Sequence, residues 1–176
     1  PDEHPPMPDV VQNGRQPQVR ACGGCHLPTG LGHPESSNVA GLPADYFFEQ
    51  VKDFQAGKRH NVDPERSNGM VTIAKAMTDD EIRSAAEYFA KLKSTPWPWV
   101  KVKEAAMVPV SYVGVGNMRF VKPDGGMEAL GQRIIEVPED EERADLRDTH
   151  SGFIAYVPPG SIAKGKELVA TGSAYL

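Results

Sequence analysis

Apolar residues recur at helical spacing in two stretches of the first half of the chain. In "PADYFFEQVKDFQAGKR", Phe47, Val51 and Phe54 form one stripe. Pro43 suits the first turn and Gly57 is a natural stop, so the spacing predicts a helix between them. In "MVTIAKAMTDDEIRSAAEYFAKLK", the stripe is Ile82, Ala85, Ala86, Phe89 and Leu92. Thr78 and Glu81 make a T-x-x-E capping box, which predicts a helix start near Asp79. Pro96, in "STPWPW", is expected to end that run. The alanines on this face leave room for another helix or a flat ligand. After residue 100 the pattern changes. "MVPVSYVGVGNMRFVKP" has β-branched residues, alternation and glycines, "DGG" reads as a turn, and "QRIIEV" and "GFIAYV" have strand length. "PEDEERADLRD" reads as a solvated, mostly acidic connection.

Composition adds one constraint to that map. The chain has 176 residues, 39% of them hydrophobic but only 7% aromatic, which is lean for a core filled by side chains alone. A large apolar cofactor would make up the difference. The net charge of −5 is spread evenly: residues 1–95 hold 10 basic and 13 acidic side chains, residues 96–176 hold 9 and 11. With no basic run or basic-aromatic patch, nucleic acid is not an expected partner. No apolar stretch has transmembrane length. The opening "PDEHPPMPDV" is polar and proline-rich and does not start with Met, which suggests a mature or trimmed chain whose export signal is gone.

The chemistry concentrates in "RACGGCHLPTG", which holds the only two cysteines, Cys22 and Cys25, and His26. Four readings compete for C-x-x-C-H. A disulfide across two residues closes a tight loop of little stabilising value and leaves His26 idle. A thioredoxin-like redox pair belongs at a helix start after a strand, and no β-α-β alternation surrounds residue 22. A zinc half-site needs two more soft ligands, and His33 and His60 do not form a second pair at finger spacing. The fourth is covalent haem attachment. Residues three apart share a helical face, so both thiols reach the two vinyl groups of one haem, and the adjacent imidazole reaches the iron.

"VAGLPADYFFEQVKDFQAGKR" and "MVTIAKAMTDDEI", following a C-x-x-C-H in this order, resemble the class I c-type cytochromes, especially the bacterial cytochrome c4-like group. The match covers residues 18–93, about half the chain. The resemblance implies one haem c per chain, bound covalently by Cys22 and Cys25, with His26 as proximal ligand and Met70 as distal ligand. Met77, the rival, occupies a position that is usually Leu in the family and reads as core. A bis-His site using His33 or His60 is the other alternative. His33 reads as a surface residue of the haem-side loop, and Tyr46, Phe47 and Phe54 as core and haem-packing residues. In the family a proline carbonyl often accepts the proximal Nδ1–H; Pro34 is the first candidate here and Pro28 the second.

The expected fold is mainly α: a class I cytochrome c helical haem domain over 1–95, followed by a small β-containing extension. The extension comprises a connector over 96–159 and a C-terminal helix over 160–176. "GSIAKGKELVATGSAYL" resembles the opening of another cytochrome c domain, so the chain is expected to be part of a dihaem protein whose second haem domain lies outside this sequence. The alternative is a short helix packed on the extension through Ile162, Leu168 and Val169. The expected function is one-electron transfer in the periplasm, without catalysis, because His/Met ligation leaves no open position for substrate. Dehydrogenases as donors and terminal oxidases as acceptors are the partners the family implies. A haem enzyme or ligand sensor with a dissociable distal Met, and a non-haem dithiol module, are the competing classes.

Overall fold

A computed structural model describes residues 4–33, 36–60, 69–93, 100–114, 118–146, 148 and 150–172. The chain divides into two compact units, Pro1–Thr95 and Pro96–Leu176.

In the first unit, a short helix α1 (Asp9–Gln12) leads into a two-stranded ribbon, β1 (Gly14–Arg15) and β2 (Val19–Arg20). The turn α2 (Gly23–His26) follows directly. Then come α3 (Ala44–Gln55), α4 (Gly69–Ala76) and α5 (Asp79–Ala90). Pro43 stands at the N-cap of α3, and Gly57 takes φ 73° just past its end. The α5 stripe is realised in full: Ile82, Ala85, Ala86, Phe89 and Leu92 are all buried. Phe89 stacks on Phe47 of α3 at 5.7 Å between centroids, joining the two helices at the centre of the apolar cluster. Helix α5 ends at Ala90; Pro96 lies outside the described residues.

The capping box that starts α5 is complete. Glu81 N donates to Thr78 Oγ1 at 3.2 Å, and Thr78 N donates to the Glu81 carboxylate at 2.8 Å. Arg15 joins it from β1, with Nε at 2.9 Å from Glu81 Oε1. The Arg15 guanidinium, then the Thr78 amide, holds the Glu81 carboxyl below its ordinary range. A depressed carboxylate contributes stability above its unfolded pKa and loses it as pH falls through the folded value. The melting temperature should therefore fall on acidification below about pH 4. Glu81→Gln should flatten that acid limb, as read by thermal melts across pH. Thr78→Ala should cost about 1 kcal/mol at neutral pH.

The second unit corrects the expected fold class. The structure is 38% helix and 22% strand, so it is not mainly α. Strands β4 (Met107–Pro109) and β5 (Ser111–Val113) pair antiparallel with β7 (Met127–Ala129) and β6 (Arg119–Val121), and the "DGG" turn lies between β6 and β7. A three-stranded sheet places β9 (Phe153–Val157) between β3 (Val100–Glu104), parallel to it, and β8 (Ile135–Pro138), antiparallel. β9 alternates cleanly, with Phe153, Ala155 and Val157 buried. β3 has no counterpart among the expected strands. Its sequence, "VKVKE", is that of an edge strand, whose lysines face solvent and discourage further pairing. The acidic connection also contains a helix, α6 (Glu141–Asp145), capped by Asp140 and burying Ala144. Helix α7 (Ser161–Thr171) buries none of its residues. Ile162, Leu168 and Val169, expected to pack if this were a docked terminal helix, are exposed.

Candidate functional site

The site grows out of a single turn of helix. Cys22 is the N-cap of α2 and His26 its last residue, so one turn presents both thiols and the imidazole. Cys22 N donates to Val10 O at 3.2 Å, which pins the turn to α1. Both cysteines are free and half-buried. Burial pushes the Cys22 thiol up to about 11. A reactive redox thiol is usually shifted the opposite way, toward thiolate. Among the described residues, no group of three or more His, Cys, Asp and Glu side chains is arranged to hold a metal ion.

His26 is oriented by its own loop. Its Nδ1 lies 2.9 Å from Ser37 O. A carbonyl can only accept, so Nδ1 carries the proton and Nε2 keeps its lone pair. Desolvation lowers the His26 pKa below its ordinary value, against the bond to Ser37, and His33 nearby pushes the same way. A neutral imidazole with Nδ1–H held by a carbonyl is the form that binds a metal through Nε2. Among the described residues that carbonyl is Ser37 O and not Pro28 O. Pro34 lies outside the described residues, and Pro28 O accepts from the Tyr88 hydroxyl at 2.6 Å instead.

The loop after His26 folds back on the turn. Leu27 takes φ 63° and ψ 155°, a region that side chains rarely occupy and that costs about 1–3 kcal/mol. Gly32 N donates to His26 O at 2.9 Å, and Val39 N to Gly30 O at 2.7 Å. Gly32 has φ 72°, and a Cβ there would run into Ser36 O. His33 is buried, not at the surface as expected, with Nε2 3.2 Å from Ser36 Oγ. That contact ties His33 Nε2 to its own loop. His60 is exposed. Phe89 meets the His26 ring edge-on at 6.3 Å. Phe47 and Phe54 pack against the core as expected, but Tyr46 is 50% exposed and lines no interior.

The two methionines separate by burial. Met77 is buried in the apolar cluster with Ala74, Ile82 and Phe89. Met70, in the first turn of α4, is half-buried and, among the described residues, not part of that cluster. Packing in the cluster thus accounts for Met77. Sequence reasoning missed two polar groups here. Ser37 acts through its backbone carbonyl, which carries no residue-type signal. Tyr88 acts through a hydroxyl reaching across sixty residues of sequence.

No family model matches the chain. It is similar to the thiosulfate dehydrogenase electron acceptor of Stutzerimonas stutzeri (strain A1501), 42% identical over 75 residues, covering 42% of this chain and 33% of that protein. It is also similar to the thiosulfate dehydrogenase electron acceptor of Thiomonas intermedia (strain K12), 31% identical over 84 residues, covering 47% and 36%. The chain therefore spans about a third of the length of these curated relatives. Among solved structures, reduced cytochrome c4 from Pseudomonas stutzeri aligns with a TM-score of 0.44 and 27% identity, over 48% of this chain and 45% of that one. Cytochrome c4 from Acidithiobacillus ferrooxidans aligns at 0.42 and 28%, over 48% and 46%. Thiosulfate dehydrogenase (TsdBA) from Marichromatium purpuratum aligns at 0.42 and 26%, over 48% and 17%. Scores of this size do not by themselves establish a shared fold. The names agree with the resemblance to c-type cytochromes read from the sequence.

Proposed function

We propose that this chain is an electron-transfer cytochrome c that carries one covalent haem on Cys22 and Cys25, with His26 Nε2 and the Met70 sulfur as axial ligands. The observation that carries the reading is the state of His26. Its Nδ1 proton is committed to Ser37 O, its pKa is lowered by burial, and it ends the same turn that carries the two free cysteines. These residues fit a haem: two sulfurs for thioether attachment and one basic nitrogen for the iron. When bound, the haem supplies a one-electron Fe(III)/Fe(II) couple whose potential a thioether ligand raises.

The protein's part is to hold its side chains still. The Ser37 carbonyl fixes the imidazole plane, the Tyr88 hydroxyl fixes the loop at Pro28, and the stacked Phe47–Phe89 pair joins α3 to α5. With His26 and Met70 both holding the iron, the chain would carry electrons and leave no iron position open to a substrate. The relatives named as electron acceptors of thiosulfate dehydrogenase support a sulfur-oxidising dehydrogenase as donor, and a terminal oxidase is a fitting acceptor. Thioether haem attachment belongs to an exporting, oxidising compartment, so we place the protein in the periplasm. That α7 buries none of its residues supports the reading of 160–176 as the opening of a second haem domain, with 96–159 as connector.

An optical redox titration of the purified protein tests this reading. The expected result is a c-type spectrum that interconverts reversibly with a one-electron slope, and slow carbon monoxide binding when reduced. Immediate carbon monoxide binding would show an open site and a sensor or enzyme. Absence of a Soret band, with two titratable thiols, would show a dithiol module.

A further inference from the structure

We infer that Gln55 is a positioning residue for Met70, acting through the α4–α5 corner; the inference rests on the assignment of Met70 as distal ligand above. The last four carbonyls of a helix have no partner within it. At this end two α4 carbonyls, Ala74 O and Ala76 O, and the Met77 carbonyl just past the helix are taken by side chains from elsewhere, and Ala74 O also accepts from Met77 N at 3.1 Å. Gln55, the last residue of α3, donates from Nε2 to Ala74 O at 2.8 Å and to Met77 O at 3.0 Å. Both amide hydrogens are therefore spent on one corner. Arg15 donates to Ala76 O at 2.8 Å while its other contacts hold Glu81.

Helix α4 has eight residues, too short to be stable by itself. Its place is set by what grips it. Ala74 buries its side chain in the core, and Gln55 holds the carbonyl of the same residue. Met70 lies one helical turn before Ala74, so a shift or fraying at the clamp moves Met70 with it. A thioether is a weak, neutral ligand, and its bond to iron depends on being held within about half an ångström of the right place. Gln55 is half-buried, so water replaces its hydrogen bonds poorly.

The experiment uses the haem-loaded protein and imidazole as the competing ligand. Gln55→Met keeps the side-chain length and removes both donors. Its oxidised form should bind imidazole at least about fivefold more tightly than the unaltered protein, the scale of one net hydrogen bond, and show a weaker sulfur-to-iron charge-transfer band. Gln55→Lys returns N–H donors at similar reach and should recover most of both. Leu92→Ala, a core truncation at the far end of α5, serves as the control for general loosening: it should lower the melting temperature without tightening imidazole binding. Imidazole affinity unchanged in Gln55→Met overturns the inference. So does an equal gain in Leu92→Ala for the same fall in melting temperature. If the unaltered protein lacks the charge-transfer band, or Met70→Ala keeps it, the ligand assignment itself has failed, and the inference falls with it on a measurement distinct from the Gln55 result.

Discussion

Replacing both Cys22 and Cys25 with Ala is expected to yield a chain with no covalently bound haem. Mass spectrometry of the intact unaltered protein should exceed the sequence mass by one haem, and the double variant should match its bare polypeptide. A haem stain should survive denaturing electrophoresis in the first and vanish in the second. The basis is geometric: one turn, α2, carries both free thiols and ends on His26, whose Nδ1 is already committed to Ser37. The effect on stability should also be large. Cys22 packs at the margin of the apolar cluster, and the chain is only 7% aromatic. A unit that relies on a haem to fill its interior should lose much of its cooperative melting without one. Equal masses for the two proteins, with no haem on either, would sink the proposal.

Met70→Ala is expected to abolish the sulfur-to-iron charge-transfer band of the oxidised protein and to lower its reduction potential, because thioether ligation favours Fe(II). Since Met70 lies outside the core cluster, the chain's packing should be little changed. Met77→Ala should do the reverse. It should keep the band and the potential, and cost about 2–5 kcal/mol as a buried methionine truncation. In a unit of this size each kcal/mol is worth about 4–8 °C in melting temperature, so the loss should be plain in a thermal melt. If Met77→Ala removes the band and Met70→Ala does not, the distal ligand is Met77.

Some parts of this architecture could be read along the chain because their causes are local. The Thr78–Glu81 box spans four residues, and its two hydrogen bonds form wherever that tetrapeptide starts a helix. The α5 stripe follows from helical periodicity, and Gly57 ends α3 because glycine accepts φ 73° without strain. The C-x-x-C-H turn is of the same kind: three side chains converge because a helix turns once in that interval.

Other parts depended on which distant backbones the fold brings together. The carbonyl that holds His26 belongs to Ser37, and nothing in a serine's identity marks its carbonyl as an acceptor. His33 reads as a surface loop histidine along the chain and is buried in the structure, where its backbone pairs with that of Ser36. The expectation of a mainly α chain failed for a related reason. "VKVKE" is too polar to read as a strand by burial, and it becomes one by pairing with β9, more than fifty residues away. Local periodicity and capping, set by interactions within one or two turns, were determined by the sequence itself. The partners of the His26 ring, the grip of Gln55 and Arg15 on α4, and the parallel edge of the second unit's sheet were decided by tertiary structure, because each is a hydrogen bond to a backbone group whose chemistry is the same at nearly every residue.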